Sequence, residues 1–206
     1  MNISRISLCQ NEEWNYDYLP RALDSDYRPI YDFKYPFSFE LALDCERIVY
    51  KLKEYDISSE MCWHLVVTFI NTDNKSSELM DYISFDQTKM RFVNISEKAE
   101  LFNSKSIDDK RVCILKSIYK AIVLVTKETD HTKINQIITE VAKYQDDIEC
   151  VLIKKCTRKY NASVRFKSSI RGYDAILYLE CISKNEIKRI NILEKVTYAE
   201  LTYKIN

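Results

Sequence analysis

One glycine, Gly172, serves a chain of 206 residues. At an average usage of roughly 7%, about fourteen would be expected. Glycine lets backbone amides close on a phosphate and lets a strand turn a strained corner. A phosphate-binding P-loop, a dinucleotide fingerprint and a nucleophile elbow each need two or more glycines. All three are excluded in their standard forms. Turns must instead be made by Asn and Asp, which tolerate left-handed dihedrals and hydrogen-bond their own backbone. Asn71-Thr72-Asp73-Asn74, Asp146-Asp147 and Lys184-Asn185 have that character.

The rest of the composition is that of a globular protein. Hydrophobic residues make up 46% and charged residues 30%, enough to build a core and too apolar for a disordered chain. No run approaches the roughly 20 apolar residues that span a bilayer. The longest, Ala121-Ile122-Val123-Leu124-Val125, is five residues long. No apolar segment follows Met1-Asn2-Ile3-Ser4-Arg5, so no secretion signal is read and a cytoplasmic location is expected. The seven cysteines are odd in number, irregularly spaced and lack a Cys-x-x-Cys pair. They are expected to be reduced, mostly core residues, with neither a zinc site nor a disulfide framework.

Periodicity divides the chain into three stretches within one expected α+β domain over 1–206. Residues 1–37 hold all three prolines and a dense set of aromatics interleaved with acids, which predicts an irregular arm. Residues 38–145 read as mainly helical with one or two strands. Leu41, Cys45, Ile48, Val49 and Leu52 form one helical stripe. Trp63–Ile70 is a β-branched, aromatic run that predicts a strand buried on both faces. A weaker strand is expected near Lys89–Ile95 and a short helix near Ser96–Phe102. Ser106 to Asp109 has the form of a capping box before a helix over 107–127. A second helix carries Ile134, Ile137, Ile138, Val141 and Tyr144, and the two are expected to form a hairpin. Residues 146–206 read as an antiparallel sheet: Glu149–Cys156, Ser163–Lys167, Tyr173–Ile182, Ile187–Leu193 and Val196–Ile205. The last of these alternates Ala199, Leu201, Tyr203, Ile205 with Glu200, Thr202, Lys204. The expected fold is therefore an antiparallel meander packed against a helical hairpin and one further helix.

Catalytic patterns are sparse. His64 sits inside an apolar strand and His131 in a turn, neither near a second histidine. Asp174 followed by Glu186-Ile187-Lys188 resembles the carboxylate–lysine signature of metal-dependent nucleases, where acids hold a divalent cation. Its Glu-x-Lys falls at an expected turn, so no metal ligand and no cofactor are assigned.

Two features point to partners. Trp14, Tyr16, Asp17, Tyr18, Asp24 and Asp26 form an acidic aromatic set suited to an interface. Lys154, Lys155, Arg158, Lys159, Arg165, Lys167 and Arg171 form a run of seven bases with no acid among them and with Tyr160 and Phe166 interleaved. Such a run suits an acidic protein surface or a phosphate backbone. In size, composition and lack of catalytic features the chain resembles bacterial immunity proteins, which bind and neutralise a toxin. That resemblance implies a non-catalytic protein whose partner is a toxin domain such as a nuclease. A nucleic-acid-binding protein using 154–171 is the alternative, and a metal-dependent nuclease a lesser one.

Overall fold

The computed structural model describes residues 1–11, 39–70, 77–79, 90–184 and 186–205. The architecture is α+β, with two sheets joined by helices. The first sheet contains β1 (Arg5–Asn11), β2 (His64–Ile70), β3 (Ser77–Leu79) and β4 (Met90–Ser96) in the order β1-β2-β4-β3. β1, β2 and β4 are parallel, and β3 runs antiparallel to β4. The second sheet is an antiparallel meander of β5 (Cys150–Cys156), β6 (Tyr160–Ser169), β7 (Gly172–Cys181) and β8 (Glu186–Val196).

The parallel sheet was not anticipated. β1 falls inside the stretch expected to be an irregular arm, and 38–145 contributes three described strands rather than one or two. A parallel pair joins partners distant in sequence through a crossover, here helix α1 (Phe39–Glu54), so no hairpin turn announces it. β2 is buried along nearly its whole length, as its β-branched run requires.

α1 lies between the two sheets. It packs against β1 on one hand and against β5 and β6 on the other, and against α4 (His131–Tyr144). Leu41, Cys45, Ile48 and Leu52 of the expected stripe are buried, but so are Asp44, Arg47 and Lys51. α3 (Ile107–Val125) and α4 form the expected hairpin. Ser106 caps α3 by accepting from the Asp109 amide at 3.1 Å while donating to the Asp109 carboxylate at 2.7 Å. Between β4 and α3 lies the one-turn α2 (Ala99–Asn103). One hydrophobic cluster runs through both sheets, taking in Leu65, Val67 and Phe69 as well as Phe166, Ala175 and Leu201.

The final segment is a correction. Residues 198–205 form a helix, α5 (Tyr198–Ile205), not a strand. Thr197 and Glu200 make a reciprocal capping box: the Glu200 amide donates to Thr197 Oγ1 at 3.2 Å, and the Thr197 amide donates to Glu200 Oε2 at 2.9 Å. Only Leu201 is fully buried, while Tyr203 projects into solvent, which an alternating strand would not allow.

A buried ionic clamp ties these layers together. Arg111 of α3 is bidentate to Asp44 of α1, at 2.6 and 2.9 Å, and also donates to the Val141 and Ala142 carbonyls at the end of α4. Arg47 binds Asp44 at 2.8 Å, Asp146 at 2.6 Å, and both the hydroxyl and carbonyl of Ser168 on β6. None of these residues stood out in the sequence as a unit. Lysine and arginine in a helix ordinarily mark its wet face.

Candidate partner-binding surface

The meander is fixed at one end. Gly172 opens β7 with φ +121°, a conformation that L side chains rarely adopt, and an added Cβ would lie 2.9 Å from the Val196 carbonyl oxygen. From that turn the sheet can be read in rows across its strands, using register and the period of two. On the face toward α1 and α5 the row Cys150–Phe166–Ala175–Leu193 is packed, with the Phe166 ring edge-on to Tyr50 at 4.7 Å. Towards the other end come Ile153–Val164–Leu177–Ile190 and then Lys155–Ala162–Leu179–Lys188. Burial falls away along this direction. Ile153 is 39% and Ile190 44% exposed, and both lysines are exposed. The far half of the sheet thus projects beyond its helices.

On the opposite face the middle of the sheet is covered by its own side chains, while Ile187 stays 66% exposed towards the projecting end. The Tyr178 ring lies between two guanidinium groups, Arg165 at 5.2 Å and Arg189 at 5.9 Å from its centroid. Glu149 anchors the stack, accepting from the Tyr178 hydroxyl at 2.8 Å and from Arg189 at 3.2 Å. Burial and this carboxylate push the Tyr178 hydroxyl pKa up. These side chains lie beside Ile176, which is buried although it faces away from α1. Next to them is a shallow pocket of about 190 Å³ lined by Lys167, Asp174, Arg189, Asn191, Glu194 and Lys195 among others.

The seven bases of the sequence run do not make one patch. Lys154, Lys155, Arg158 and Lys159 stand exposed at the β5–β6 turn, the projecting end. Arg165 is taken up by Tyr178, and Lys167 pairs with Asp147 at 3.1 Å. Arg171 sits in the β6–β7 turn at the opposite end, about 30 Å away along a ten-residue strand. Lys184 and Lys188 join the first four at the projecting end. The sequence run missed them because the β7–β8 turn meets the β5–β6 turn only after folding. Trp14, Tyr16, Asp17, Tyr18, Asp24 and Asp26 lie outside the described residues.

The nuclease-like set does not assemble. Asp174 is at the fixed end, where it accepts from the Lys195 amide at 2.8 Å. Glu186 pairs with Cys181 at the projecting end, seven residues along β7 and about 23 Å away. Among the described residues no cluster of three or more His, Cys, Asp or Glu converges as a metal site would require. His64 is a buried strand residue bonded to Ser7 Oγ at 2.9 Å, its pKa held down by burial and by Arg5. His131 is half-buried, not a solvated turn residue, and its Nε2 lies 3.1 Å from the Val123 carbonyl, closing the helical hairpin. Cys45, Cys62, Cys113, Cys150, Cys156 and Cys181 are free thiols. Cys45, Cys62 and Cys150 are core residues, with burial pushing Cys45 and Cys150 up to about 12. Cys156, by contrast, is exposed, and Cys113 and Cys181 are half-buried.

A tyrosine cluster, also unforeseen, closes the fixed end. Tyr173 donates to Glu46 at 2.9 Å, and the Tyr50 and Tyr198 hydroxyls lie 3.2 Å apart. Burial raises the pKa values of Glu46, Tyr50 and Tyr173 alike, which makes the phenols poor acids and suits a packing role for α5. No described helix is long and apolar enough to cross a membrane. No protein-family model matches the chain, no curated protein is significantly similar in sequence, and no solved structure is significantly similar in fold.

Proposed function

We propose that this chain is a non-catalytic binding protein of the immunity or antitoxin kind, one that covers and neutralises a cognate toxin domain such as a nuclease. One observation carries the reading. A sheet held rigidly at one end projects an uncovered, base-rimmed apolar surface at the other. Exposed aliphatic residues gathered on a rigid element are what a protein interface needs at its centre, with charge at its rim to steer encounter. The expected result of purification from the native host is one stoichiometric protein. Co-expression should relieve the toxicity of that protein. Recovery of nothing, or of many unrelated proteins, overturns the reading.

A second reading, nucleic-acid binding, draws on Lys154, Lys155, Arg158 and Lys159 with Tyr160 exposed beside them. It requires retention on heparin and an affinity that falls steeply with salt. A flat salt response removes it.

A further inference from the structure

The uncovered half of the meander has a specific pattern. Ile153, Val164, Leu177 and Ile190 form a row of aliphatic side chains, one per strand, on the face shared with Phe166. In the next row Ala162 and Leu179 are flanked by Lys155 on one edge strand and Lys188 on the other. Three inter-strand spacings make each row about 14 Å long. That length matches about nine residues of an α-helix lying across the strands. Apolar positions at i, i+4 and i+7 of such a helix would meet the row.

Charge selects the partner's sign. Among the described residues, Lys154, Lys155, Arg158, Lys159, Lys184 and Lys188 surround the projecting end, against two acids, Glu180 and Glu186. Glu180 is already engaged by Asn161 at 2.8 Å. Other occupants fit less well. Two copies meeting at this face would oppose their own lysine clusters across a two-fold axis. Strand addition to β8 is hindered by its register shifts opposite Tyr173–Ile176 and by Lys195 at φ +50°, since bulges twist an edge away from partners. Nucleic acid would find aliphatic side chains where it needs stacking rings, with Tyr160 the one exposed ring at that end among the described residues.

We infer that the row Ile153–Val164–Leu177–Ile190, bracketed by Lys155 and Lys188, is the docking platform for an acidic amphipathic helix of the protein partner. This rests on the binding-protein reading above and names the partner's chemistry. The test uses a fluorescein-labelled peptide of about fourteen residues, with leucines on one helical face and glutamates on its flanks. A lysine-flanked peptide of the same apolar face and an oligothymidylate of similar length serve as comparisons. Fluorescence polarisation should show binding of the acidic peptide alone, weakened by salt. Ile153→Glu and Ile190→Glu alter exposed positions, so the fold is expected to survive. Each should weaken binding by about tenfold or more. Ile170→Glu, 61% exposed at the opposite end of the sheet, should leave it unchanged. The double variant Lys155→Glu/Lys188→Glu should transfer preference to the lysine-flanked peptide.

Equal binding of both peptides, preference for the oligothymidylate, or indifference to Ile190→Glu overturns the inference. So does a concentration-dependent dimer that Ile190→Glu abolishes in light scattering, because the platform would then be covered by a second copy. The two readings fail separately. A native partner held equally by wild type and by the Ile153→Glu/Ile190→Glu double variant sinks the platform but keeps the binding protein. Peptide binding as described, with no stoichiometric native partner, does the reverse.

Discussion

Arg47 illustrates how far a residue's neighbourhood outweighs its chemistry. It is buried with Asp44, and its guanidinium reaches Asp44, Asp146 and Ser168 at once. Removing one member of a buried charge set leaves the others desolvated, typically at about 3–5 kcal/mol. Arg111 still holds Asp44 in an Arg47→Ala variant, so the loss should fall near the lower end, about 3 kcal/mol. Lys167→Ala breaks a pair whose acid, Asp147, is 84% exposed, and should cost less than about 1 kcal/mol. Urea denaturation of the two variants measures the contrast. Glu46 gives a prediction of opposite sign. Burial raises its pKa above the ordinary 4.5, more than Tyr173 and Arg47 lower it. The folded state therefore holds the proton more tightly than the unfolded state. Stability contributed by this group is full below about pH 4.5 and is lost as pH rises through the higher folded value. Glu46→Gln keeps an acceptor for Tyr173 without the charge. It should match wild type near pH 4 and exceed it at pH 7 in urea midpoint.

At the scale of elements, α5 is where patterning misled. Ala199, Leu201, Tyr203 and Ile205 alternate, but Leu201 and Ile205 are also four apart, one helical turn. The capping box at Thr197 and Glu200 decides between the two periods. Thr197→Ala should lower stability by about 1 kcal/mol and reduce helical circular dichroism, whereas a strand would be indifferent to the loss of that hydroxyl. The other helices and the meander were legible because their signals are local: a stripe, a cap, a β-prone run between polar turns. β1 was not, since its seven residues acquire a partner only across the α1 crossover. The second buried side of α1 was hidden for a related reason. Asp44, Arg47 and Lys51 look like a solvent face until β5 and β6 pack on it. The candidate surface was legible in part. The base run was visible, but its division between the two ends of the sheet, and the addition of Lys184 and Lys188, depend on strand register.

For the whole molecule the question is whether two sheets make one cooperative unit. They share α1, which the Arg47–Ser168 bonds tie to the second sheet, and their apolar residues belong to one continuous cluster. Packing of that kind couples openings, because neither sheet can leave without exposing the helix that the other buries. Native-state hydrogen exchange tests this directly. The amides of Val67 on β2 and Phe166 on β6 should exchange through openings of equal free energy. Arg47→Met, which keeps much of the side-chain volume but loses the charges, should lower both by the same amount. A drop confined to Phe166 would mean that the meander opens alone and that the clamp joins two separable units. Amides beyond the Ile153–Ile190 row should exchange sooner in either case, since their rows are only half covered. That gradient has a functional consequence: local opening at the projecting end leaves the clamped end intact. A partner seated on the platform should therefore slow exchange most at Leu177 and Leu179, and should slow Val67 and Phe166 equally, by the binding free energy that their shared opening forfeits.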